Sequence, residues 1–274
     1  MTDLSSGKGH RDENFPVASR LIAARHRPAI MAFYRFARAA DDVSDHPSAP
    51  PHEKLRLLNE MAATLSGEAD VSAEARALRQ MCAAAGVTPQ HGLDLLEAFR
   101  RDVTKLRYAN WAELMDYCRY SASPVGRFVC DVHGESRALW PANDALCSAL
   151  QVINHLQDCA KDRRNLDRVY LPEDELAAAG ACVADLDAPR SSPALRRVIV
   201  GLADRCEDLL AKAKPFACGI RDRGLALEVA AIQALAEDLA RTLQRRDPLA
   251  DTVHHTKSQA LLIAGAAALR RLIA

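Results

Sequence analysis

The sequence predicts an all-α chain, folded as a single domain over residues 1–274, and three observations carry that prediction. Apolar residues make up 49% of the chain while aromatic residues make up only 5%. With Ala and Leu abundant, that mixture favours helices over sheets. Helix punctuation by Pro, Ser, Thr and Asn is frequent along the whole length. No stretch alternates polar and apolar residues over a strand length between turn signals. There is no internal repeat and no low-complexity linker, and 274 residues suffice for one large core.

Taken in order, Pro28 opens a helix running to about Ser44, since its fixed backbone angle suits a first turn. His46, Pro47, Ser48, Pro50 and Pro51 form a loop. Thr88 followed by Pro89 is a cap and a first helical residue, starting a helix to about Tyr108. Asn110 with Glu113 resembles a capping box for the next helix, which Pro124 is expected to kink. Asn143 or Asp144 starts another, to about Asn165, and Pro172 closes the segment after it. Helices of about 193–216, 225–246 and 256–272 complete the chain.

Lys plus Arg and Asp plus Glu number 36 each, so the net charge is near zero. Nucleic acid is not an expected partner, because it calls for a basic face. The eight cysteines contain no C-x-x-C pair and read as small buried residues in a reducing compartment. The polar N-terminal residues lack a signal-peptide core, and no uncharged stretch reaches membrane-spanning length. Ala260 to Ala268 is apolar but short, closed by Arg270 and Arg271. It reads as a core helix or a weak membrane-surface element. The expected location is cytoplasmic, with peripheral contact at the inner face of a membrane.

Two acidic stripes carry the chemistry. In the run Tyr34 to Asp45, YRFARAADDVSD, helical spacing puts Tyr34, Arg38, Asp41 and Asp45 on one face, with Asp42 beside it. Like charges one turn apart repel, and anions near a helix C-terminus oppose its dipole. In Gln151 to Asp162, QVINHLQDCAKD, one face holds Gln151, Asn154, His155, Asp158 and Asp162, and Val152, Ile153, Leu156, Cys159 and Ala160 share the other. A lone D-x-x-x-D is usually a solvated face. Two in one chain, each with amide, aromatic or guanidinium partners in register, point to a cation site. Asp and Asn oxygens suit Mg²⁺, which completes its shell with water and substrate phosphates. Such a site would hold a diphosphate, with Arg38 reaching phosphate oxygens. His155 has no His or Cys partner at zinc-ligand spacing.

These segments resemble the squalene/phytoene synthase family over nearly the full chain. Arg35 to Asp45 looks like its first aspartate-rich motif, Asn154 to Asp162 like its second, and Arg168 to Pro172 (RVYLP) like the short motif that follows. Tyr117 to Gly126, YCRYSASPVG, is similar to the central motif, and Phe99 to Asp102 fits its place. Many relatives have glycine at Ser123 and no proline at Pro124. Several carry Arg at Gln157, which here leaves more of the diphosphate to Arg38 and the metals. Glu13 to Ser19 (ENFPVAS) and Gln244 to Leu249 (QRRDPL) look like the bacterial members that turn presqualene diphosphate and water into an alcohol.

The resemblance implies an isoprenoid-synthase-like helical bundle with a central apolar cavity. It implies Mg²⁺, or Mn²⁺ in its place, held by Asp41, Asp42, Asp45, Asn154, Asp158 and Asp162, and no NADPH. It implies that Tyr34 and Tyr117 act beside the aspartates, on the cation or the diphosphate. Arg38, Gln151 and Asn154 would bind the substrate head, and Ala122, Val125 and Gly126 would line the path of its tail. Phe33, Phe36, Leu114, Val129 and Ile153 are the expected apolar lining. Contact with neighbouring pathway enzymes is a further expectation. Two alternatives stay open: a head-to-head synthase joining two allylic diphosphates with the same aspartates, and a helical lipid-binding or adaptor protein that needs no metal.

Overall fold

A computed structural model describes residues 21–273, among which there are twelve α-helices, two short 3-10 turns and no strand. The helices are α1 Arg27–Ser44, α2 Pro51–Ser66, α3 Ala73–Ala85, α4 Gln90–Thr104, α5 Trp111–Ser121 and α6 Ser123–Val132. They continue with α7 Trp140–Leu166, α8 Glu173–Ala179, α9 Pro193–Ala213, α10 Pro215–Gly219, α11 Arg223–Arg245 and α12 Lys257–Ile273. The Glu13 to Ser19 resemblance lies outside the described residues.

Local chemistry sets most boundaries. Asn110, Ser192 and Asp222 each accept a hydrogen bond from the backbone N–H three residues on, capping α5, α9 and α11. Gly67 and Gly86 end α2 and α3 with φ of 88° and 65°, a backbone region that disfavours other residues.

The structure corrects several expected boundaries. Pro51, in the loop that the sequence predicts, lies in the first turn of α2, and α2 and α3 fill a stretch where the sequence signals mark no helix. The helix after Pro89 stops at Thr104 rather than Tyr108. Residues 105–109 run instead beside 169–174, with Val169 N–H donating to Leu106 O at 2.9 Å and Glu173 N–H to Tyr108 O at 2.9 Å. Pro124 does not kink one helix. The helix breaks at Ala122 (φ −120°, ψ −50°), and Pro124 sits in the first turn of α6, where its missing N–H costs nothing. The long helix α7 starts at Trp140, and Asn143 is fully buried within it rather than capping it. The run from Pro193 ends at Ala213, and Pro215 begins the separate α10.

Helix α7 packs on α9, α11, α6 and α5, while α1 packs on α2, α3, α4 and α6. One contiguous apolar core joins both groups, including Phe36, Phe128, Ile153 and Leu202. Helices α1 and α7 stand apart, and the space between them is a cavity. Asp247, within the Gln244 to Leu249 run, accepts from Ser191 N–H at 2.8 Å and Ser191 Oγ–H at 2.6 Å, tying the end of α11 to the lead-in of α9. All eight cysteines are free, and only Cys182 and Cys218 are exposed. Helix α12 lies on α11 with Leu261 and Leu262 each 74% exposed. No described helix is long and apolar enough to cross a membrane.

Candidate active site

The two acidic stripes face each other. Tyr34, Arg38, Asp41 and Asp45 of α1 and Gln151, Asn154, His155, Asp158 and Asp162 of α7 line one open cavity of about 430 Å³. The α1 stripe ends on the C-cap Asp45 and the α7 stripe runs through that helix's second half, so the sequence spacing becomes two walls of carboxylate. Arg38 forks between neighbours, donating from Nη1 to Asp41 Oδ2 at 2.6 Å and from Nη2 to Asp42 Oδ1 at 2.8 Å. Asp42 is held beside the mouth by that pair and is not part of its lining, unlike the other five expected metal ligands.

Behind the carboxylates lies a buried polar cluster centred on Asp102, at the end of α4. Tyr117 OH donates to Asp102 Oδ2 at 2.8 Å, and Tyr170 OH to Asp102 Oδ1 at 2.9 Å. Arg168 donates from Nη2 to Asp102 O at 2.9 Å and from Nη1 to Asp45 Oδ1 at 3.1 Å. The turn that aims Arg168 is Asp167, in the left-handed region with φ 51°. Tyr170 stacks on His155 with ring centroids 3.4 Å apart. Residue-by-residue reading did not assign roles to Asp102, Arg168 and Tyr170. The signal was their place in the Phe99 to Asp102 and Arg168 to Pro172 segments, but no spacing rule joins residues 66 apart.

The electrostatics fit a cation site. Burial first, then the Asp45 charge, pushes the Asp41 carboxyl up to about 7. Its side chain is 36% exposed, but that exposure is to water in a concave mouth walled by protein. Burial and then Asp158 push Asp162 up to about 7 as well, and Asp45 on the opposite wall adds to the effect. The two stripes therefore feel each other's charge across the gap. Asp102 is pushed to about 6 by burial, which Arg168 and the two tyrosine hydroxyls oppose. Burial, then Arg168, lowers His155 to about 3, so this imidazole is neutral and accepts from the Gln151 amide at 3.0 Å. Asp41, Asp45, Asn154, Asp158 and Asp162 offer oxygen ligands with excess negative charge, which suits hard divalent cations carried in with a diphosphate; among the described residues no three of these carboxylates lie within 4.8 Å of one another, so the two walls are spaced for bridging rather than for one shared ion.

A second, apolar cavity of about 340 Å³ opens behind this mouth. Tyr34, Ala37, Val125 and Asn154 line both spaces, so the two adjoin across these side chains. Phe33, Val125 and Val129 line the chamber as expected. Phe36, Leu114 and Ile153 do not. They are at most 1% exposed, packed within the core. Ala122 lines neither space, being buried at the α5–α6 joint. Gly126 lines the chamber but is small for another reason: a Cβ there would come within 2.0 Å of Asn143 Oδ1 and 2.7 Å of Cys147 Sγ on α7. Gln157 is not part of the mouth's lining, its amide donating to Val253 O and lying 3.2 Å from His254 Nδ1. A buried carboxylate that sequence reading did not single out, Glu228 of α11, also lines the chamber.

A helical bundle whose carboxylate mouth borders an apolar chamber is the build of a prenyl-diphosphate-processing enzyme. The chain belongs to the squalene/phytoene synthase family, whose profile matches residues 9–259. It is 55% identical over 271 residues to the hydroxysqualene synthase of Zymomonas mobilis, covering 98% of this chain and 91% of that protein. Identity to the hydroxysqualene synthase of Rhodopseudomonas palustris is also 55%, over 92% of this chain and 87% of that one. Among solved structures, a squalene synthase from Alicyclobacillus acidocaldarius superposes with a TM-score of 0.74 at 32% identity, covering 84% of this chain and 87% of the other.

Proposed function

We propose that the chain is a hydroxysqualene synthase, which ionises presqualene diphosphate and lets water capture the rearranged cation as hydroxysqualene. The adjacency of the carboxylate mouth and the apolar chamber carries this reading. A diphosphate seated among the carboxylates places its isoprenoid carbons in the apolar chamber, past Tyr34 and Val125. Asp41, Asp45, Asn154, Asp158 and Asp162 would hold Mg²⁺, which when bound supplies charge neutralisation for the departing diphosphate. Arg38 and Arg168 add fixed positive charge at the two ends of the α1 stripe. The carbon–oxygen bond to diphosphate breaks, the carbocation rearranges, and a water oxygen bonds to carbon as its proton leaves. The apolar walls keep bulk water away until that last step. With its hydroxyl committed to Asp102, Tyr117 acts through its ring and by holding that carboxylate.

The test is incubation with presqualene diphosphate and Mg²⁺ in heavy-oxygen water, with and without NADPH, followed by mass analysis of the lipid extract. The expected product is an alcohol carrying one solvent oxygen, unchanged by NADPH. Squalene formed only with NADPH would overturn the reading. So would turnover confined to two allylic diphosphates joined head to head.

A further inference from the structure

A second cluster of metal-ligand side chains lies at the far end of the apolar chamber, away from the carboxylate mouth. His26, from the segment before α1, His133, at the end of α6, and Asp222, the cap of α11, bring one ligand atom each to within 4.8 Å of one another. The rings of His26 and His133 lie 4.2 Å apart. Each of the three stands three or four residues from a chamber-wall residue: Ile22, Val129 and Leu225.

His133 is prepared as a ligand. Its Nδ1–H donates to Val129 O at 2.8 Å, which leaves the lone pair on Nε2. That Nε2 is buried and has no hydrogen-bond partner among the described residues. An imidazole held by a backbone carbonyl through one nitrogen, with the other free, is the usual outer-shell arrangement of a metal-bound histidine. A buried unsatisfied acceptor is otherwise costly to keep. Asp222 is fixed too, since its Oδ1 accepts from Leu225 N–H at 2.9 Å. Arg25 Nε donates to His26 Nε2 at 3.0 Å, and this guanidinium, 73% exposed, is the group an incoming cation displaces into solvent.

We propose that His26, His133 and Asp222 bind one divalent transition-metal ion, Zn²⁺ by ligand preference. The ion clamps the segment before α1 to the ends of α6 and α11. Two imidazoles and a carboxylate suit Zn²⁺ rather than Mg²⁺, which prefers the all-oxygen mouth. Zinc ligands at bond lengths near 2.0–2.1 Å stand roughly 3.3 Å apart, so side-chain rotation closes the remaining distance. The segment is already seated there: a Cβ on Gly224 would lie 2.1 Å from Leu21 O.

The full chain, stripped with chelator and dialysed into excess Mg²⁺, is titrated with Zn²⁺ by calorimetry and with Co²⁺ by visible absorption. One equivalent of Zn²⁺ is expected to bind and raise Tm, and Co²⁺ is expected to give a tetrahedral spectrum without thiolate charge transfer. His26→Gln, a change at a partly exposed residue before α1, and His133→Ala are each expected to lose the bound ion, while Cys182→Ser with Cys218→Ser keeps it. Absence of zinc binding overturns the proposal. So does an ion retained in His26→Gln, or one lost with the exposed cysteines.

Discussion

Asp41 and Asp162 are held, without metal, at protonation states that free aspartate does not keep near neutral pH. Both carboxyls are pushed up to about 7 by burial and by neighbouring carboxylates. In the unfolded chain they release their protons near pH 4. The folded state therefore binds more protons between these values, and its stability falls as pH rises from about 4 to 7. Asp41→Asn removes part of that slope, so metal-free melts at about pH 8 should rise relative to the wild type. The same substitution, like Asp158→Asn, should cut turnover about 100-fold or more by removing an oxygen of the proposed metal site. Melts across pH and steady-state rates in Mg²⁺ check both halves. Wild-type activity in either variant would remove that residue from the site.

Two element contacts decide whether these residues meet. The strap 168–170 is joined to the end of α4 through Asp102, whose carboxylate takes the hydroxyls of Tyr170 and of Tyr117 on α5 while its backbone oxygen takes Arg168. Asp102→Ala leaves the Arg168 guanidinium, 7% exposed, without its buried counter-charge. Such a loss costs about 3–5 kcal/mol, to be read by denaturant unfolding. Activity should fall as well, because Arg168 also orients Asp45. The other contact is α6 against α7. Gly126→Ala sets a methyl against Asn143 and Cys147, and overpacking of this kind costs about 1–3 kcal/mol. Unchanged stability would show that α6 can move off α7. The sequence carries the helix after Pro89 to about Tyr108, but it ends at Thr104 because the carbonyls of Leu106, Tyr108 and Ala109 accept from the N–H groups of Val169, Glu173 and Asp174.

For the whole molecule, the gap between α1 and α7 is held open by the helices around it while its walls carry like charge. A ligand that bridges the walls should stabilise the entire bundle. Mg²⁺ with inorganic diphosphate should raise Tm by more than the sum of the two added separately, because each needs the other to neutralise the mouth. The gain should be larger at about pH 8 than at about pH 5, where protons compete for Asp41 and Asp162. Additive or absent shifts in a thermal scan would count against metals shared between the stripes. Turnover should vanish on exhaustive chelation and return with Mg²⁺ or Mn²⁺.

The sequence by itself determined the helical class and which side chains share a helix face, because both depend on spacings of three and four residues. Tyr34, Arg38, Asp41 and Asp45, and Gln151 through Asp162, were legible on that ground alone. Only the tertiary structure decided that the two stripes face each other, that Asp102 receives Tyr117, Tyr170 and Arg168, and that Ala122 and Phe36 stay out of the cavity. Gly126 shows the division most plainly. Its smallness was visible in the chain, but the atoms that require it belong to Asn143 and Cys147 on another helix. Local pattern fixes direction around one helix axis, whereas convergence depends on how packed helices cross, and no short-range spacing encodes that.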